Sequence, residues 1–241
     1  MLDRLCNACQ EYGMQLNAKK TKTMCVSRAD NEVIHLKAEG KELEQVEEYV
    51  YLGTIISQDL RQEKEIRKRI GIAKSKFWEN KEFMRRNLSL HLKKKLLKCY
   101  VFTVFSYGSE IWNFNVSLCR KIKSFELWCY RQIFKISWRD RVTNEAVELR
   151  AGGTFLLDHL KQKKFRYAGH ILRGSSSPLH NLILEGTIEG TRARGRPRRM
   201  WMDDITGWSR TSAYWQAKRL AENRVDWRHL VANLRTEEGT D

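Results

Sequence analysis

Proline, long apolar runs and the common catalytic signatures are scarce or missing in this sequence of 241 residues. Its two prolines, Pro178 and Pro197, leave long helices uninterrupted. No run of about eighteen apolar residues exists, so we expect no membrane-spanning helix. The start of the chain has no apolar segment of the kind found in a secretion signal. A Walker loop, a GxGxxG run and a Ser-His-Asp order are absent as well.

The cysteines give no sign of a disulfide framework or a zinc site. Six are present at irregular spacing, which is typical of reduced intracellular thiols. Cys6 and Cys9 form a CxxC, but no second pair lies nearby to complete four convergent ligands. We therefore predict no bound metal.

Positive charge is the feature present in excess. Lys and Arg number 45 against 29 Asp and Glu, a formal net charge of +16. Such an excess attracts polyanions, so RNA and DNA are the expected partners, and a nuclear rather than cytoplasmic location is favoured. The alternative is a basic surface that is only solvated.

The pattern along the chain predicts an α+β fold that is mostly α. A first helix should end at Gly13. Short β-prone runs at 23–27, 32–36 and 48–52 then suggest the edge of a mixed sheet. Helical periodicity takes over after residue 58, with further helices at about 115–135 and 212–234 and a break between them at Gly152-Gly153. The residues expected to face inward on the helix at 115–135 are Leu118, Ile122, Phe125, Trp128, Cys129 and Ile133.

Two of the predicted helices carry details that the structure can test. The first follows a capping box formed by Asp59 and Gln62. It places a basic stripe beside its apolar face, made of Arg67, Lys74, Lys81 and Arg85. The second follows a cap at Ser89 and carries Leu92, Leu96, Leu97, Tyr100 and Val104. Residues 61–98 hold fourteen Lys or Arg and four Glu, a net charge of +10.

Several short segments, in a fixed order, resemble motifs of the reverse transcriptases of LINE-type (non-LTR) retrotransposons. Residues 12–21 and Tyr51-Leu52-Gly53 are similar to two consecutive motifs of the palm. The segments that resemble the later markers of the family are 65–74, 107–112, 168–173 and 195–204. Each segment alone is a weak signal, whereas their common order is specific.

The resemblance implies three regions: a small β-containing palm remnant at 1–58, a helical thumb-like region at 59–138, and a basic helical domain at 139–241. Lys20 would match a lysine near the incoming triphosphate, where an ammonium neutralises developing charge. Tyr51, Leu52 and Gly53 would match the primer grip. The basic stripe of the thumb, Arg67, Lys74, Lys81 and Arg85, would contact phosphates without reading sequence.

The resemblance also shows what is missing. In the family an aspartate pair that binds the catalytic metals precedes the first palm motif, and here Asp3 and Glu11 are the only acids before Gly13. We therefore expect this chain alone to be inactive, with Mg²⁺ a cofactor of the parent polymerase and no cofactor bound here. Asp203-Asp204 imitates a metal pair, but it follows every palm motif and is expected to cap a helix N-terminus.

An arginine run near the C-terminal end has no acid to pair with, and its predicted nucleic-acid contacts are Arg192, Arg194, Arg196, Arg198 and Arg199. Three interpretations stay open: general phosphate binding, insertion of an extended Arg-Gly-Arg-Pro into an A·T minor groove, and a plain exposed loop.

We expect a C-terminal fragment of an RNA-directed DNA polymerase that binds template–primer and lacks the catalytic aspartates. The upstream polymerase and endonuclease domains of the parent protein are then potential partners. The alternative is a domesticated nucleic-acid-binding adaptor that uses the arginine run and the basic helices.

Overall fold

The structure is a computed structural model and describes residues 2–26, 33–174, 178–185 and 199–234. The chain divides between Lys68 and Arg69 into two compact units. The first is small and holds the described strands. The second is helical and contains the larger core.

The first unit begins with helix α1 (Leu2–Glu11), which ends at Gly13 with φ +67, as predicted. Six short strands follow: β1 (Lys22–Thr23), β2 (Lys37–Ala38), β3 (Lys41–Glu42), β4 (Glu44–Gln45), β5 (Glu48–Tyr51) and β6 (Thr54–Ser57). Strand β1 pairs with β4 in parallel, and the β2–β3 and β5–β6 pairs are antiparallel. Cys6, Ala38 and Leu43 form a small core.

The prediction of one mixed sheet is wrong for the described part of this unit, which holds three separate two-stranded ladders. Residues 33–36, predicted as a strand, are not in one, and the ladder starts at Lys37. The reason is the turn at Glu39 and Gly40, both with positive φ (50° and 77°), which sets Ala38 opposite Lys41. A tight turn fixes the register of a hairpin more strongly than β-propensity does.

Helix α2 (Glu63–Glu79) spans the division between the units. The second unit continues with α3 (Lys81–Arg85), α4 (Leu90–Leu96), α5 (Thr103–Phe105), α6 (Val116–Phe134), α7 (Asn144–Ala151), α8 (Leu156–Leu172), α9 (Pro178–Glu185), α10 (Trp201–Ser209), α11 (Tyr214–Glu222) and α12 (Arg224–Asn233). The fold of the described residues is therefore α+β and mostly helical, as predicted.

Two details predicted for the first basic helix are wrong. Asp59 does not cap α2: its carboxylate accepts hydrogen bonds from Ser57 Oγ (2.6 Å) and Arg61 N (2.9 Å) in the preceding loop. The predicted helix also breaks at Asn80, whose side-chain amide donates to the carbonyl of Lys76 (2.9 Å). A short amide that bonds the helix backbone competes with the helical ladder and ends it.

The helix after Ser89 begins as predicted, with Ser89 Oγ accepting from Leu92 N (3.3 Å). Beyond α4, however, residues Leu97–Phe102 form a π-helical turn. A wider turn rotates the side chains that follow it, so Val101 is buried while Tyr100 is 52% exposed. Tyr100, which belongs to the apolar set of this predicted helix, is therefore largely exposed to solvent.

Helix α6 confirms its prediction closely. Asn115 Oδ1 accepts from Leu118 N (2.8 Å) and caps it, as expected for this residue type. The predicted inward residues are buried, except for the half-buried Trp128: Leu118, Ile122, Phe125, Cys129 and Ile133.

The C-terminal helix predicted at 212–234 is two helices, α11 and α12. Asn223 separates them because its side chain caps α12, accepting from Val225 N (3.0 Å) and Asp226 N (3.4 Å). Helices α8, α10, α11 and α12 enclose a second core around Phe165, Ile205 and Trp227. Within the described ranges, no helix is long and apolar enough to cross a membrane.

Candidate nucleic-acid interface

An open groove of about 490 Å³ lies between the middle of α2 and the first two thirds of α6. Three cations, two serines and three apolar side chains line it: Lys74, Arg120, Lys121, Ser117, Ser124, Ile70, Phe125 and Trp128. No acid is among these lining residues. We call this surface the α2–α6 groove.

The spacing of polar residues on α6 explains why this wall of the groove forms. Ser117, Arg120, Lys121 and Ser124 recur every three or four residues, so they share one face of the helix. The apolar residues between them are buried on the other side, which leaves the polar face outward. This face starts in the first turn of α6, where the helix dipole favours anions.

Aromatic packing fixes the floor of the groove. The Lys74 ammonium lies 4.9 Å from the ring centroid of Trp128. The ring of Phe125 is nearly parallel to that of Trp128, with centroids 6.3 Å apart, and Phe77 packs edge-on at 5.3 Å. The Lys74 ammonium over the ring competes with a base for that face of the Trp128 indole. The groove instead presents ammonium, guanidinium and hydroxyl groups, which are the donors that bind phosphate oxygens.

The predicted primer-grip residues lie together at a hairpin tip in the first unit. Leu52 and Gly53 join β5 to β6 with φ of +47° and +80°, the signs needed for a tight hairpin turn. Tyr51 and Leu52 are 57% and 73% exposed. The Lys68 ammonium lies 3.4 Å from the carbonyl of Gly53, so a cation lies beside this tip.

The predicted triphosphate contact, Lys20, lies in an exposed turn that Asn17 organises. Asn17 Oδ1 accepts from the backbone N–H groups of Lys19 (3.1 Å) and Lys20 (3.2 Å). The side chain of Lys20 is exposed.

The predicted basic stripe is divided among different surroundings. Arg67 is ion-paired with Glu63 (2.8 Å) in the first unit, whereas Lys74 lines the α2–α6 groove. Lys81 is exposed on α3. Arg85 is half-buried, 5.8 Å from the ring centroid of Trp78, and its Nε has no hydrogen-bond partner among the described residues. Of the four, the structure places only Lys74 in the groove.

Four arginines of the predicted run lie outside the described residues: Arg192, Arg194, Arg196 and Arg198. Arg199 is described, and its Nε donates to Asp204 Oδ1 (2.7 Å). Its side chain remains 43% exposed, so the pair fixes the end of the run while part of the guanidinium faces solvent.

The acids of Asp203-Asp204 have separate structural roles. Asp203 caps α10 as predicted, accepting from Met200 N (2.6 Å). Asp204 is fully buried and accepts from Phe114 N (2.8 Å), Lys164 Nζ (2.6 Å) and Arg199 Nε. Two cations and a backbone donor occupy its oxygens, so this carboxylate does not fit a divalent metal. Across the described ranges, no cluster of three or more His, Cys, Asp or Glu is arranged to hold a metal ion.

Lys164 stands out among the described cations because its side chain is 0% exposed. Its ammonium donates to the carbonyl of Trp112 (2.8 Å) and to Asp204. Burial lowers its pKa to about 8, although Asp204 favours the charged form. Trp201 Nε1 donates to the carbonyl of Glu110 (2.8 Å) beside this pair. The described residues 199–204 therefore meet residues 107–112 in the core, and both belong to segments that resemble family markers.

The segment 168–173 is architectural as well. Trp227 Nε1 donates to the carbonyl of Phe165 (2.9 Å), which brings the indole directly over Gly169. A Cβ on Gly169 would lie 2.2 Å from Trp227 Nε1, so only glycine fits there.

Arg120, Lys121, Ser117 and Ser124 were not predicted as site residues. Their three-to-four spacing on a helix was visible in the sequence, but it indicates only an exposed polar face. Pairing that face with Lys74 required the packing of α6 against the neighbouring helices.

Comparison with known proteins finds a sequence similarity to a transposon-derived protein. It is 26% identical, over 212 residues, to an uncharacterized transposon-derived protein of Caenorhabditis elegans. The match covers 85% of this chain and 76% of that protein. The similarity indicates a transposon-related origin. No family model and no solved structure matches the chain.

Proposed function

We propose that this chain derives from the C-terminal part of a LINE-type reverse transcriptase and binds the phosphate backbone of nucleic acid through the α2–α6 groove. The observation that carries this proposal is the groove itself, which gathers Lys74, Arg120 and Lys121 with two hydroxyls and no lining acid. The similarity to a transposon-derived protein and the ordered motifs support the origin.

The chemistry of the groove favours backbone contacts over base readout. The Lys74 ammonium over the Trp128 ring disfavours stacking, and no Asn, Gln or acid lines the groove to read the edges of adenine or cytosine. Contacts of this kind give affinity that depends on salt and little on sequence. A thumb that follows template–primer needs this behaviour, because it must hold any sequence that is copied.

We further propose that this chain does not add nucleotides alone. Two-metal phosphoryl transfer requires carboxylates with oxygens that face the metals. Asp204 has its oxygens engaged by protein donors, and Asp203 caps a helix. Mg²⁺ therefore belongs to the proposed parent polymerase.

The test combines binding with catalysis. Fluorescence anisotropy with a labelled 20-base-pair duplex should give a Kd that rises steeply with salt. The variant Lys74→Gln/Arg120→Gln/Lys121→Gln removes three groove cations, so the slope of log K against log salt should fall by about 2.7, at roughly 0.9 for each phosphate contact. A matched control removes three exposed charges elsewhere, at Arg139, Arg141 and Arg150.

Equal slopes for the groove variant and its control would contradict the groove as the binding surface. In a primer-extension assay the purified chain should incorporate no nucleotide. Incorporation that is abolished by chelation would contradict the second part of the proposal.

A further inference from the structure

A line of basic residues runs along the outer face of α8 and shares no residue with the α2–α6 groove. At 100° per residue these side chains fall within an arc of about 80°. They are His159, Lys163, Arg166, His170 and Arg173. The line spans fifteen residues, whose fourteen steps of 1.5 Å cover about 21 Å of helix. We call it the α8 line.

The rest of α8 explains why this face must be outward. Leu160, Lys164, Phe165 and Ala168 are buried on the opposite side, against the cores of the second unit. Along α8 no large apolar side chain is among the exposed ones, whereas His159, Arg166 and His170 are exposed. The face is therefore polar and basic without an apolar component.

Further cations continue the line at both ends. Lys98 lies near the N-terminal end, with its ammonium 4.3 Å from the ring centroid of Phe155. Burial, and then the charges of Arg166, Lys163 and Lys98, lower the pKa of His159. At the other end Arg224 and Arg228 lie close enough to Arg173 to contribute, after burial, to a lowered pKa of its guanidinium.

Two acids near the line, Glu110 and Asp226, have hydrogen-bonded partners. Glu110 pairs with Lys163 (3.0 Å), whose ammonium also donates to the carbonyl of Ser106 (2.6 Å). Asp226 accepts from the side-chain amide of Asn223 (2.5 Å). Arg166, Arg224 and Arg228 are exposed at the middle and the C-terminal end of the line.

The geometry points to the α8 line as a second binding surface for the phosphate backbone of a nucleic-acid strand, separate from the α2–α6 groove. This inference rests on the proposed function in taking nucleic acid as the partner. A single strand of duplex DNA carries one phosphate per 3.4 Å of axis, so a line of about 21 Å covers roughly six phosphates. A membrane surface is a poorer match, because peripheral binding adds apolar side chains to the basic ones.

Two separate surfaces have a functional consequence for a nucleic-acid-binding chain. One duplex long enough to touch both would bind with the effective concentration of a linked site, and two shorter duplexes could be held at once. Both outcomes depend on the α8 line contributing contacts of its own.

The experiment compares the variant Arg166→Gln/Arg224→Gln/Arg228→Gln with the groove variant and with the charge-matched control Arg139→Gln/Arg141→Gln/Arg150→Gln. All are titrated with the labelled 20-base-pair duplex between 50 and 200 mM salt. For the α8 variant we expect the slope of log K against log salt to be smaller by about 2.7. Over this fourfold range of salt, its affinity should therefore change about 40-fold less than that of the unaltered chain. The conservative variant Arg166→Lys/Arg224→Lys/Arg228→Lys should keep the original slope.

The outcomes separate the two proposals. If only the groove variant loses slope, the α8 line is overturned and the groove stands. If only the α8 variant loses slope, the groove is overturned. An unaltered chain that binds no duplex at 50 mM salt overturns both. An α8 variant that keeps its DNA slope but no longer binds phosphatidylserine vesicles would assign the line to membranes and overturn the inference. Circular dichroism of each variant checks that it is folded.

Discussion

The buried pair of Lys164 and Asp204 gives a stability prediction that can be tested sharply. Replacing Asp204 with alanine removes the acceptor for Phe114 N, Lys164 Nζ and Arg199 Nε at once. Lys164 is 0% exposed and would lose its counter-charge. Breaking a buried ion pair by removing one partner costs about 3–5 kcal/mol of unfolding free energy.

A ceiling on this cost follows from the ability of Lys164 to lose its proton. In the unaltered folded chain the pKa of Lys164 is about 8, so forming the neutral amine at pH 7 costs about 1.4 kcal/mol, at 1.36 kcal/mol per pH unit. The folded variant adopts whichever form of Lys164 is cheaper, so the lost charge pairing of Lys164 adds no more than this amount. The buried Phe114 N–H, left without its acceptor, adds about 1–3 kcal/mol, so the total loss is about 2–4 kcal/mol.

The loss should depend on pH in a defined direction. The pKa of Lys164 is about 8 in the folded chain, and removing Asp204 lowers it further. At pH values between the Lys164 pKa of the folded variant and 8, Lys164 is protonated in the unaltered folded chain and in both unfolded chains. In the folded variant Lys164 is neutral over this range. The variant therefore gains stability relative to the unaltered chain as pH rises to 8, by up to about 1.4 kcal/mol per pH unit.

Urea unfolding followed by tryptophan fluorescence measures this loss, because all eight tryptophans lie beyond residue 77, in the second unit. The control is Thr143→Ala, which removes the cap of α7 and should cost about 1 kcal/mol at every pH from 6.5 to 8.5. A loss below 1 kcal/mol for Asp204→Ala, or a loss that stays constant over this range, would refute the reasoning.

Two further predictions concern single positions of the second unit. Gly169→Ala should destabilise the fold by about 3 kcal/mol or more, because the new Cβ would overlap Trp227. Gly207→Ala should stabilise it by up to about 1 kcal/mol, because the space around Gly207 is open. Thermal melts measure both effects, and equal melting midpoints for the two variants would contradict the prediction. Glu126→Ala should lower the free energy of unfolding by about 2–4 kcal/mol, because this buried carboxylate accepts from the backbone N–H groups of Phe155 and Leu156 at the start of α8 (2.9 Å each). The control Thr143→Ala removes an exposed helix cap and should cost about 1 kcal/mol. A smaller loss for Glu126→Ala than for this control would count against the prediction.

The sequence predicted those elements whose signals are local. Helix α6 combines a capping asparagine with regular apolar spacing, and both signals come from the segment itself. The stops at Gly13 and Gly152 follow from the left-handed conformation that glycine tolerates, with φ of +67° at each. The cap at Asp203 was predictable for the same reason, since it bonds only three residues away.

The predictions failed where a side chain or a packing partner overrides the pattern. Periodicity alone continues through Asn80 and Asn223, and only the bonds of their amides show that the helices end there. The π-helical turn at Leu97–Phe102 has no periodic signal, because it is one residue wider than the pattern assumes. The strand after residue 32 was misplaced because a turn set its register.

The candidate site shows the same limit. Lys74 was predicted from a basic stripe on one helix, whereas its neighbours Arg120 and Lys121 lie about fifty residues later on another. No local pattern joins them, because the groove exists only once α6 is packed. Lys81 and Arg85 belong to the same predicted basic stripe as Lys74, but they do not line the groove. Their role in binding stays a prediction.

The partnership of Lys164 with Asp204 also bears on how the polypeptide matures during synthesis. A ribosome releases Lys164 some forty residues before the aspartate that stabilises its charge, and the indole that covers Gly169 emerges later still, at Trp227. The nascent segment around α8 therefore stays incompletely packed during synthesis, because only later residues can pair the charge of Lys164 and bury the apolar face of the helix. Translation that stops before Asp204 and Trp227 would release a polypeptide in which α8 lacks its packing partners. Such a polypeptide would be prone to aggregate.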